Sequence, residues 1–156
     1  MSVESNLAEK LAKLGLELPP APAAKGLYKS VVISGNLAFT SGHLPVDASG
    51  KLMTGRVGAN LDVHAGFRAA QWAGRNILAS LRKELGSLDR VGRGVKIFGA
   101  VNCTADFTQQ PAVLNGCSEL FAEIFGPDAG VGARSAIGVN TLPLGVPVEI
   151  EAIFEI

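Results

Sequence analysis

The sequence predicts an α+β fold: one sheet with two helices packed on one face, in the order β-β-α-β-α-β-β. Two helices are read from spacing. From Asp62 to about Leu85, residues such as Phe67, Ala70, Gly74, Ile77 and Leu81 recur every three or four positions, the pattern of one helical face. Val113, Leu114, Cys117, Leu120, Phe121, Ile124 and Phe125 do the same after Phe107. The sheet is read from five short stretches that alternate apolar with polar or small residues, the period of a strand with one covered face. Short connections between these elements leave helices and strands to share a single core.

In chain order, Ser5 to Leu14 reads as a short amphipathic helix carrying Leu7, Leu11 and Leu14, with Ser5 or Ser2 as its cap and Gly15 as its stop. Pro19 to Ala24 is an extended connector, because each proline disfavours helix in the residue before it. Leu27 to Ile33 and Leu37 to Ser41 read as strands joined by a tight turn at Ser34-Gly35-Asn36. A polar loop follows to Asn60. Gly86 ends the long helix, and Gly94 to Cys103 is the third strand. Pro111 falls in the first turn of the second helix, where its missing N–H costs nothing. The last segments, Gly132 to Asn140 and Val146 to Ile156, read as two arms of a hairpin turning at Pro143-Leu144-Gly145. Its apolar faces, Ile137 and Val139 in one arm and Val148, Ile150, Ala152, Phe154 and Ile156 in the other, are expected under the helices. Arg134, Ala136 and Gly138, with Glu149, Glu151 and Glu155, are expected on the opposite face.

A chain of 156 residues suits one domain. With 47% hydrophobic and 18% charged residues it reads as folded, not disordered. Fourteen basic residues balance fourteen acidic ones, so there is no electrostatic footprint for a polyanion. A surface so poor in charge fits burial in an oligomer. Cys103 and Cys117 make no Cys-x-x-Cys pair and read as buried free thiols. No apolar run approaches the roughly 20 residues of a membrane span. The first residues lack a signal peptide's apolar core, so a cytoplasmic location and no membrane partner are expected. His43 and His64 lack a third ligand at a recognisable spacing, so no metal is expected.

Two motifs carry a resemblance. Asn36-Leu37-Ala38-Phe39-Thr40-Ser41-Gly42-His43-Leu44-Pro45 is an apolar strand ending in Thr-Ser-Gly before a proline. Arg134-Ser135, Leu142-Pro143 and Glu149-Ile150-Glu151-Ala152 follow in order near the C-terminus. Together they resemble the YjgF/YER057c/UK114 family, also called Rid, of enamine/imine deaminases, sometimes named endoribonuclease L-PSP. The likeness spans residues 26–156, leaving 1–25 as an added helix and proline-rich connector. It implies a chorismate-mutase-like fold assembled as a homotrimer, sheets inward, with pockets between subunits. The implied activity is that of a 2-iminobutanoate/2-iminopropanoate deaminase-like hydrolase. Reactive acids such as 2-aminoacrylate or 2-iminobutanoate would become 2-oxo acids and ammonia without a cofactor.

Six residues are candidates for the site. Arg134 is a five-donor planar cation suited to clamping a carboxylate, though pairing with a C-terminal glutamate fits the residue alone equally well. By resemblance it holds the substrate carboxylate. Glu149 can orient or deprotonate water and matches the family's water-orienting glutamate, with Glu151 as its rival. Tyr28, the only tyrosine, precedes Ser-Gly by the interval of the family's pocket tyrosine. Ser41 and Gly42 end a strand where a glycine lets a ligand approach backbone. Asn115 matches a position that is asparagine in some members, and its place on the second helix turns it away from the core. His43, Ala136 and Ser118 depart from the family pattern. They favour an alternative, a protein that binds a small carboxylate metabolite or regulates through it on the same trimer. Ribonuclease activity ranks third, because the chain offers no basic patch, stacked aromatics or histidine pair.

Overall fold

In the computed structural model, which describes residues 1–156, five strands form one sheet. They are β1 Val31–Ser34, β2 Leu37–Thr40, β3 Arg93–Asn102, β4 Ala133–Val139 and β5 Val148–Glu155, in spatial order β1-β2-β5-β3-β4. β3 and β4 are parallel and the other neighbours antiparallel. Helices α2 Val63–Leu85 and α3 Gln110–Phe125 lie side by side on one face. The third helix, α1 Val3–Leu14, lies against α3. Leu7 and Leu11 of α1 belong to the same continuous core as α2, α3 and the sheet.

Local chemistry sets the element ends. Ser2 caps α1, its side chain accepting from Ser5 N, and Gly15 closes it in a left-handed conformation. Asp62 Oδ1 accepts from Ala65 N at 2.8 Å to start α2. Val148, Ile150, Ala152 and Phe154 of β5 are buried under the helices, and Phe154 meets Phe121 and Phe125 of α3 at ring separations of 5.4 and 5.9 Å.

The two helices touch backbone to backbone at Gly116, where a Cβ would lie 2.1 Å from Phe67 O and 3.1 Å from Gln71 N. Gly116→Ala would gain about 1 kcal/mol in helix propensity. The overpacking should cost about 3 kcal/mol, because backbone atoms cannot swing aside. We expect a net fall in Tm of roughly 4–8 °C, measured by thermal unfolding; an unchanged or higher Tm would show that the helices can part without cost.

Three expectations are corrected. β1 begins at Val31, not Leu27, because β2 is only four residues long and gives residues 27–30 no partner strand. The last two strands are not a hairpin. β3, α3 and β4 form a parallel crossover unit, and β5 pairs with β2 and β3 instead. The connecting segment crosses the end of β3, where Asn102 N donates to Pro147 O at 2.8 Å and Asn102 Nδ2 to Val146 O at 3.2 Å. Finally, the faces of β4 are reversed. Arg134, Ala136 and Gly138 lie on the helix side. A Cβ on Gly138 would meet Cys103 Sγ and Gln110 Nε2 at 2.9 Å, so the residues there are small because the space is crowded. Ile137, 43% exposed, lies on the open face.

Candidate functional site

The candidate residues fall into two groups. The first is at the β4 edge. Asn115 and Ser118, three apart on α3 and so on one helical face, reach the guanidinium of Arg134. Arg134 Nη1 donates to Asn115 Oδ1 at 2.8 Å and to Ser118 Oγ at 3.0 Å. Neither acceptor is charged, and Arg134 makes no ion pair within the chain. The fork is therefore positioned by neutral groups while its remaining donors face solvent. Cys117, beside them on α3, is fully buried and its thiol pKa is pushed well up by burial, which leaves it protonated and inert.

The second group lies at the end of β2. Tyr28, Ser41, Gly42 and Glu149 line one recess with Lys25 and Leu144. Ser41 is fixed by its backbone: its N–H donates to Ser30 O at 2.9 Å and its Oγ to Lys29 O. Gly42 follows, and a larger residue there would displace the Glu149 carboxylate. A Cβ there would lie 2.2 Å from Glu149 Oε1. Its own N–H has no backbone partner in the chain. Glu149 lies on the open face of β5, and its pKa is raised, first by burial and then by the neighbouring Glu151.

His43, the departure from the family pattern that follows Gly42, is buried. His43 is 4% exposed and lies under α2. Its Nδ1–H donates to Ser41 O at 2.7 Å, and its Nε2 accepts from the Ser80 hydroxyl at 2.7 Å. Burial lowers its pKa, so it stays neutral. His43 thus braces the Ser41–Gly42 corner against the helix. Ser80 is sixteen residues along α2 from His64, roughly 24 Å at helical rise, so the two histidines do not share a site. No group of three His, Cys, Asp or Glu is arranged to hold a metal.

The two groups do not meet within one chain. Arg134 pairs in register with Ile97, and Glu149 with Ala100, on the intervening β3. Three residues along and two strands across separate them by roughly 14 Å between backbones. They also project from opposite faces of the sheet.

A model of the family described as "YjgF/chorismate_mutase-like, putative endoribonuclease" matches residues 8–151. The chain belongs to this family. Among relatives, Protein TCP17 of Trypanosoma cruzi is 41% identical over 150 residues, covering 96% of this chain and 94% of the relative. The crystal structure of Atu1372 from Agrobacterium tumefaciens is similar with a TM-score of 0.90 at 39% identity, over 99% of this chain and 94% of that one. The structure of Escherichia coli TdcF with bound serine is similar with a TM-score of 0.63 at 27% identity, over 90% and 96%. The match begins inside α1, so this YjgF-like chain carries most of its first helix within the family's span.

Residue reasoning missed Lys25, Leu144 and the role of Ser118. Leu144 is the one non-glycine residue with positive φ, at 58°, an unfavourable conformation that points to constraint by its surroundings. Ser118 was legible: it stands one helical turn from Asn115.

Proposed function

We propose that the chain assembles as a homotrimer in which the Arg134 group of one subunit faces the Gly42–Glu149 group of the next, forming a pocket that hydrolyses 2-imino and enamine acids. The substrate carboxylate docks on the free donors of Arg134. An enamine first takes a proton at its β-carbon to become the imine. Water, oriented by Glu149, then adds to the C=N carbon as Glu149 passes one water proton to the nitrogen, giving a carbinolamine; Glu149 next takes the proton of the new hydroxyl and gives it to the nitrogen as the C–N bond breaks, so ammonia leaves and a 2-oxo acid remains. Gly42 N–H and the Tyr28 hydroxyl are the further donors beside the reacting carbon. The observation that carries this reading is Arg134: a guanidinium held by two neutral side chains with no carboxylate of its own.

The assembly is supported by the open face of the sheet. Val32, Phe39 and Ile137 are 48%, 38% and 43% exposed there, an apolar surface that needs a cover. The bound serine of TdcF supports a ligand bearing an amino-acid carboxylate. The same observation favours a second reading, a carboxylate-metabolite binding protein without turnover, since clamp and recess suffice for binding. RNA cleavage has less support, because one histidine is buried with both ring nitrogens engaged and the formal net charge is zero.

The test is release of ammonia and 2-oxobutanoate from enzymatically generated 2-iminobutanoate. Acceleration over buffer supports the deaminase. A protein that binds 2-oxobutanoate yet gives no acceleration is the binding protein of the second reading.

A pH prediction follows from Glu149. Its carboxylate must be ionised to take a proton, so kcat/KM falls as pH drops through its pKa. That pKa is raised above 4.5, so the acid limb should lie above the ordinary glutamate range. In Glu151→Gln the neighbouring charge is gone, Glu149 ionises more readily, and the limb should move to lower pH. A limb that does not move, or moves up, would show that Glu149 does not set it.

A further inference from the structure

The recess beside Glu149 opens into a second, more enclosed cavity of about 150 Å³, sharing with it the mouth formed by Lys25, Tyr28, Ser41, Gly42, Leu44 and Leu144. Its inner walls are apolar. Pro22 and Ala23 of the connector form one, and Val46 and Leu52 of the loop after β2 form the other. His43 is part of its lining, but both ring nitrogens are already engaged, so it offers a ligand no free polar atom. The Ser30 hydroxyl is the polar exception.

Two adjacent buried residues of α2 brace these walls. Asn76 Nδ2 donates to Leu44 O at 3.1 Å and to Val46 O at 2.9 Å, holding the loop. Arg75 Nη1 donates to Glu17 O at 3.4 Å, holding the chain two residues before the connector, and its guanidinium stacks 3.2 Å from the centre of the Trp72 ring. Each is 2% exposed. Arg75 has no carboxylate partner, and a buried unpaired cation is costly. Burial lowers its pKa to about 10, so it remains charged at neutral pH. Further upstream α1 is anchored as well: Glu4 Oε1 accepts from Leu88 N at 2.8 Å and Glu4 pairs with Arg82 at 3.1 Å. The N-terminal arm is thus anchored up to Glu17, just before the connector residues that line the cavity.

Resting on the deaminase reading for its chemistry, we propose that this cavity is the side-chain pocket of the site and selects 2-imino acids with apolar side chains of about four to seven carbons. A dry cavity of about 150 Å³ accommodates a benzene-sized group. The one-carbon side chain of 2-aminoacrylate would leave it empty. A charged side chain would lose its water against Pro22, Ala23, Val46 and Leu52 without a partner in return. Residues 22–25 of the arm set the pocket's depth.

The experiment compares two readouts over the same series. One is kcat/KM for imines generated by an amino-acid oxidase from alanine, 2-aminobutanoate, leucine and phenylalanine. The other is calorimetric affinity for the corresponding 2-oxo acids. The wild type should favour the leucine- or phenylalanine-derived member over the alanine-derived one by tenfold or more, as one or more methylenes in an apolar pocket imply. Ala23→Phe, at an exposed position that should not disturb folding, and Val46→Phe, from the opposite wall, should each collapse that ratio toward one. A ratio near one in the wild type, or one that survives both substitutions, overturns the pocket. If no imine is turned over while affinity still rises with chain length and collapses in both variants, the pocket stands and the deaminase reading falls.

Discussion

Arg134→Ala should reduce kcat/KM for 2-iminobutanoate by about 10²–10³-fold while the protein stays folded. A bidentate charged contact to a carboxylate comprises two charge-assisted hydrogen bonds, each worth about 1.5–3 kcal/mol, and the docked carboxylate fixes the C=N carbon relative to water. Misplacement by about 1 Å can alone cost 10²-fold. Stability should change by less than about 1 kcal/mol, because the side chain is exposed and its two partners are neutral groups that water can satisfy. Arg134→Lys keeps the charge but not the planar fork, so it should fall between the two. Steady-state kinetics beside a melting curve reads both. Full activity in a folded Arg134→Ala protein would remove the clamp, and with it the main support for the proposed chemistry.

Much of the fold was legible because helical spacing and strand alternation report burial directly. α2 begins one residue after the expected Asp62 and ends at Leu85 as expected, and β5 buries four of the five residues its alternation named, the fifth, Ile156, lying half-buried just past its end. The errors arose where pairing is non-local. Nothing within residues 132–156 says that β5 must insert between β2 and β3; a local turn at Pro143-Leu144-Gly145 reads equally well as a hairpin. The signal lay elsewhere, in the short strand-helix-strand run of β3, α3 and β4, which demands parallel neighbours. The reversed faces of β4 have a related cause. Ala136 and Gly138 look like an open face by hydropathy, yet they are small because α3 and Gln110 crowd them.

The site was legible as residue types and not as an arrangement. Arg134 and Glu149 could be named as a cation and a base, but sequence spacing cannot say that β3 and the thickness of the sheet lie between them. Asn115 was expected to turn away from the core, and it does lie at the core's margin, which is what lets it reach Arg134. The structural role of His43 was hidden, because its two partners, Ser41 and Ser80, are far apart in sequence.

Gly42→Ala should lower kcat/KM by about 10²-fold or more at little cost in stability. The added Cβ would lie 2.2 Å from Glu149 Oε1 and 2.9 Å from Glu149 Cδ. These atoms are the far end of a flexible side chain, so the carboxylate swings aside cheaply instead of straining the fold. The displacement itself is the damage: the base leaves the water it orients, and the methyl shields the unpartnered Gly42 N–H. Because Gly42 and Arg134 belong to different groups, the two inactive variants can also test whether the groups meet across subunits. In a cyclic trimer co-assembled from equal amounts of Arg134→Ala and Gly42→Ala chains, about a quarter of the interfaces would join an intact Arg134 to an intact Gly42, so about a quarter of wild-type activity should return. A pocket formed within one chain would give no recovery at any mixing ratio, since every chain would carry one lesion.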